Sequence, residues 1–110
     1  MMRHVYIVPK AKADIRQILG WLRSRTSKGT ASWWRAFLAT TERTADHPES
    51  YPIVAEANAR WTRDVRQELF QTRRGRPYRI VFTWSDDEVR ILRVRGSGQR
   101  PLRSRDLPKE

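Results

Sequence analysis

PYRIVFTWSDDEVRILRVRGSGQRPL, residues Pro77 to Leu102, holds two short apolar runs separated by an acidic turn. Tyr78, Ile80 and Phe82 alternate with Arg79, Val81 and Thr83, the period of a β-strand. Ser85-Asp86-Asp87-Glu88 supplies turn chemistry, because Asp and Ser side chains bond their own backbone there. Val89, Ile91, Leu92 and Val94 rebuild a strand in the returning direction, and a connection this short makes the pair antiparallel. An arginine-rich, glycine-punctuated segment leaves the end of this hairpin.

Working outward, residues 3–8 predict a first strand closed by Pro9. A helix follows over Ala11–Arg25, with Ala11, Ile15, Ile18, Leu19 and Leu22 on one face. Ser27 or Thr30 is expected to cap a second helix, Thr30–Asp46, with Trp34, Leu38, Thr41 and Ala45 inward and Phe37 flanking. His47-Pro48 ends it, since proline drives the preceding residue out of the α region. Residues 48–60 predict an irregular connection, and Trp61–Gln71 a further strand with Val65 and Leu69 on one face and Phe70 on the other. Arg73-Arg74-Gly75-Arg76 makes a basic turn into the strand at Tyr78. The order β-α-α-β-β-β defines an α+β fold, an N-terminal helical hairpin packed on a small antiparallel sheet. One domain is expected over 1–98, with a basic tail, 99–110, that frays.

At 110 residues the chain is long enough for one core. It has no apolar run near the roughly 20 residues that span a bilayer, and Val5–Val8 is shorter than a secretory apolar region. A cytoplasmic protein without membrane contact is therefore expected. The formal net charge is +11, from 23 Lys+Arg against 12 Asp+Glu. Residues 60–105 carry 13 arginines, no lysine and 5 acids, a local +8. Such an excess points to nucleic acid, ribosome, an anionic membrane or an acidic protein partner, and arginine favours bidentate contacts to phosphate or carboxylate.

The residues offer little for metal or nucleophilic chemistry. Two distant histidines, His4 and His47, and the absence of cysteine predict no metal site and no cofactor. The Asp86-Asp87-Glu88 run reads as a solvated turn. Among the aromatics, Trp34 is expected in the core, Trp21 and Trp33 at a dimer or partner contact, and Trp61 and Trp84 at strand ends.

Several pieces taken in order resemble the RelE/ParE superfamily of bacterial type II toxins, plasmid-stabilisation proteins among them. They are Pro9 to Ile15 with Ala-x-Ala-Asp-Ile, Asp46–Glu49, Val65–Leu69, Tyr78–Phe82 and Val89–Gly96. The resemblance covers roughly residues 3–102. It implies a toxin neutralised by a cognate antitoxin, acidic by charge complementarity, and contact with operator DNA only through that antitoxin. ParE-like members act on DNA gyrase, whereas RelE-like members cleave mRNA on the ribosome. For a metal-free nuclease the resemblance implies Arg66, Arg79 and Arg95 or Arg100 as cations, with Glu68, or less plausibly Asp64, as base. The tail holds neither Tyr nor His to protonate a leaving group, which favours the ParE-like reading. Arg73, Arg74, Arg76, Arg93, Arg95, Arg100 and Arg103 are then the candidate target- or antitoxin-binding residues. A ribosome-dependent nuclease and a non-toxic or nucleic-acid-binding member remain the alternatives.

Overall fold

β3 (Pro77–Trp84) and β4 (Glu88–Gly96) form the expected antiparallel hairpin. The Ser85 amide donates to the Glu88 carbonyl at 2.9 Å, and the Asp87 amide donates to the Ser85 hydroxyl at 3.4 Å. The computed structural model describes residues 3–55, 61–73 and 75–110. It contains, in chain order, β1 (His4–Ile7), α1 (Pro9–Arg23), α2 (Ser27–Asp46), β2 (Arg66–Gln71), β3 and β4, with single 3-10 turns at Pro48–Ser50 and Ser104–Asp106. The α+β class and the element order are those read from the sequence.

The sheet runs β1-β4-β3-β2 and is mixed, because β1 lies parallel to β4. A wholly antiparallel sheet was expected. The parallel sense lets the chain leave β1 beside Ile91, whose carbonyl accepts from the Val8 amide at 3.1 Å. α1 then starts alongside the rest of β4. It begins at Pro9, two residues before the expected Ala11, because a proline in the first turn has no amide to waste. α2 begins at Ser27, and Thr26 occupies the cap position without a side-chain cap bond.

On α2, Thr41 and Ala45 are buried as expected, but in the first half of the helix the buried face is rotated by one residue from the expected one. Trp33, Phe37, Thr40 and Thr44 face inward, while Trp34 is 38% and Leu38 42% exposed. Two stripes on this helix have helical spacing, and threonine hid the correct one. Inside, the Thr40 and Thr44 hydroxyls donate back to the Ala36 and Thr40 carbonyls at 2.7 and 2.9 Å, so their burial leaves no unpaired group. Trp33 stacks on Phe37 at 5.3 Å and meets Phe70 and Tyr78 at 5.5 and 5.6 Å, a cluster joining α2 to β2 and β3.

Both faces of the sheet are covered. Ile80, Val81, Phe82 and Thr83 are all buried, and the register skips Leu92 opposite the Val81/Phe82 step, a bulge that buries both Ile91 and Leu92. Helices cover one face. Across the outer face run residues 61–65 and the C-terminal segment. Thr83 donates to the Asp64 carbonyl at 3.0 Å, and Leu102 and Leu107 are buried in the core. Strand β2 is therefore shorter than the expected Trp61–Gln71. Residues 99–110, expected to fray, fold back along the sheet because two leucines in a polar tail bring their own apolar contacts. The Glu110 carboxylate accepts from Thr62 Oγ1 at 2.6 Å and from its amide at 2.9 Å. No helix among the described residues is long and apolar enough to cross a membrane.

Candidate binding surface

Directly opposed residues on paired strands point to one face. Leu69 stands opposite Arg79, and Arg79 opposite Arg95, so all three line the outer face. Glu68 stands opposite Ile80, on the helix side. Arg66 stands opposite Phe82 and shares that side. The three residues proposed for RNA cleavage thus divide: Arg66 and Glu68 lie behind the sheet, and Arg79 in front. They do not surround one phosphate.

Behind the sheet, Arg66 donates to the Tyr51 carbonyl at 2.7 Å and to Asp64 at 3.0 Å. Tyr51 sits beside Glu68, and its phenol pKa is pushed up by burial first and by the neighbouring carboxylate second. In front, Arg79 donates to Gln67 at 2.9 Å. Arg79, Arg95, Leu69, Gln67, Gln99 and Pro101 line an open groove of about 390 Å³. Leu69, 65% exposed, is its apolar wall. Tyr78 borders the groove's end, but it stands opposite Phe70 and Gly96, so its ring lies on the helix side against Trp33, where burial raises its phenol pKa. Sequence reading took Tyr78 only as a strand residue.

Arg93 is held by Asp14, which accepts at 2.7 and 2.9 Å from its Nε and Nη2 and at 3.0 Å from the Val94 amide. Nothing in the spacing of Asp14, a lone acid on a helix, announced this pair. Arg93 Nη1 also donates to the Asp106 carbonyl at 2.7 Å. Arg95, 5% exposed, donates to the Arg100 carbonyl, and its pKa is lowered by burial and then by Arg93. Arg100 forms a fork on Asp106 at 2.8 and 2.6 Å, and the Arg103 amide donates to the same carboxylate at 2.8 Å. Arg103, Arg73 and Arg76 have exposed side chains, and Arg74 lies outside the described residues.

The aromatics are redistributed. Trp33, expected at an interface, is 1% exposed in the core, and Trp34, expected in the core, is on the surface. Trp61 is buried. Trp84 lies under the Arg3 guanidinium, 5.1 Å from its ring centre, and Arg3 also donates to Ser85 and Ala45 carbonyls. Trp21 remains exposed.

Asp106 fastens the tail, and its pKa lies well below the usual carboxylate range, chiefly through Arg100 and also through the Arg103 amide. A folded value below the unfolded one means that the stabilisation is present above about pH 4 and lost as pH falls below it. Amide exchange at Asp106 and Leu107 should therefore accelerate between about pH 4 and 2, relative to β3 and β4. Asp106→Asn should exchange fast there at every pH. Unchanged protection down to pH 2 would show that Leu102 and Leu107 hold the segment alone.

A small α+β protein with a rigid, arginine-bearing sheet face is what the fold and its surface define. The family model for the ParE toxin of the type II toxin–antitoxin system parDE matches residues 5–101. The chain belongs to that family and is the toxin side of a toxin–antitoxin pair. No curated protein matches its sequence.

Proposed function

We propose that the chain arrests growth by acting on DNA gyrase through the outer sheet face, and that a cognate acidic antitoxin neutralises it. One observation carries the choice of mechanism: Arg79 and Arg95 stand side by side in front of the sheet while Glu68 projects behind it. The groove's lining offers guanidiniums but no carboxylate base, so it grips phosphate or carboxylate without abstracting a proton. Gyrase as the target follows from the ParE-like members. Leu69 beside two cations suits a protein surface or a protein–DNA complex better than a bare strand.

Expression of this chain alone in bacteria should arrest growth, with filamentation and a DNA-damage response, and the neighbour-encoded partner should restore growth. Arg79→Gln, on the surface, should relieve the arrest. Glu68→Gln should leave it in place if the protein stays folded. Normal growth at confirmed soluble expression would leave a non-toxic binding member. Codon-internal mRNA cleavage on ribosomes by the purified protein would replace gyrase with the RelE-like mechanism. Truncation after Gly96 is a poor probe, because it removes two core leucines.

A further inference from the structure

A second concavity, of about 620 Å³, lies between the α1–α2 turn and the β2–β3 turn. That volume falls within the range of small-ligand pockets, roughly 300–1,000 Å³. Its lining includes Trp21, Arg25, Lys28, Trp33, Arg73 and Arg76, and no acid. None of the four cations forms a salt bridge among the described residues. The Arg25 and Arg76 guanidiniums instead lie 4.5 and 5.5 Å from the Trp21 ring centre. Trp33 contributes a second, independent anomaly. It is 1% exposed, yet its indole N–H has no acceptor among the described residues. A buried donor left unpaired costs about 1–3 kcal/mol and calls for a missing partner.

We infer that this cavity receives a carboxylate side chain with apolar neighbours, presented by the antitoxin, and that the carboxylate accepts from Trp33 Nε1 within the four-cation rim. This rests on the toxin–antitoxin reading and adds a specific site to it. A peptide fits better than nucleic acid for two reasons. Trp21 already carries two guanidiniums, so its ring is not open for a base to stack on. The unpartnered donor belongs to a buried side chain, which a carboxylate on a slender stem reaches more easily than a phosphodiester with a sugar on either side. A carboxylate also needs several donors to leave water, and this cavity concentrates them.

The test is calorimetric titration of the full-length toxin with its neighbour-encoded antitoxin, using Lys28→Gln with Arg76→Gln against a control, Arg16→Gln with Arg35→Gln. Both pairs remove exposed cations, and only the first lines the cavity. The cavity pair should bind at least about tenfold more weakly at unchanged melting temperature, and the control within about twofold of the native protein. The Trp33 indole proton, followed by NMR in the native complex, should move downfield as it gains an acceptor. Equal affinity of the two pairs with an unmoved indole proton would overturn the inference and leave the toxin reading standing. Failure of the native toxin to bind the antitoxin at all would instead remove the reading beneath it. Loss of binding to a short DNA duplex in the cavity pair, with antitoxin affinity intact, would assign the site to nucleic acid and also overturn it.

Discussion

Asp14→Ala is expected to destabilise the protein by about 3–5 kcal/mol, the usual loss when one partner of a buried ion pair is removed. The Asp14 side chain is 9% exposed and that of Arg93 16%, so solvent screens the pair little. The carboxylate accepts two guanidinium bonds and the Val94 amide, a strand-edge donor beyond the end of β1. Its removal strands a cation and an amide together. For a domain this size, each kcal/mol shifts the melting temperature by about 4–8 °C, so the variant should be largely unfolded in warm cells. Urea denaturation of the purified variant gives the number. Asp14→Leu with Arg93→Met should recover most of the loss, because neither charge then remains buried. A loss below about 1 kcal/mol in the single variant would show that water reaches Arg93.

The second large effect separates adjacent tryptophans. Trp33→Ala should destabilise by about 3–5 kcal/mol, as for other large aromatics removed from a packed core. Trp34→Ala, on a side chain 38% exposed, should stay within about 1 kcal/mol. Trp33 touches Phe37, Phe70 and Tyr78, so its loss opens a cavity where α2 meets two strands. A larger loss in Trp34→Ala than in Trp33→Ala would mean that α2 has the rotation its sequence first suggests. Denaturant midpoints of the two variants decide between them.

Those tryptophans also mark where the sequence was legible. The hairpin and the α+β order follow from period-2 alternation, turn chemistry and proline, all local signals. The facing of α2 is not local, because aromatic partners from β2 and β3 chose between two equally periodic stripes. Strand β1 gives no sign of its parallel sense in four residues. The tail looks polar on average, and its docking depends on Leu102, Leu107 and one aspartate meeting Arg100. Arginine density drew attention to the sheet, but composition could not separate cations held inside the molecule, such as Arg93, from those facing a groove, such as Arg79. Glu68 and Arg79 appeared as a cluster because strands were read without their register.

The pairing of β1 with β4 bears on how this protein is made. Arg3 is tied to Ser85, 82 residues away, and Asp14 to Val94, 80 residues away. On the ribosome, a growing chain that has not yet exposed β4 offers α1 no partner for Asp14 and β1 no strand to lie beside. Non-local pairings of this kind are slow, because chain closure precedes the contacts that reward it. The N-terminal half therefore waits for translation of the last strand before it acquires its native fold.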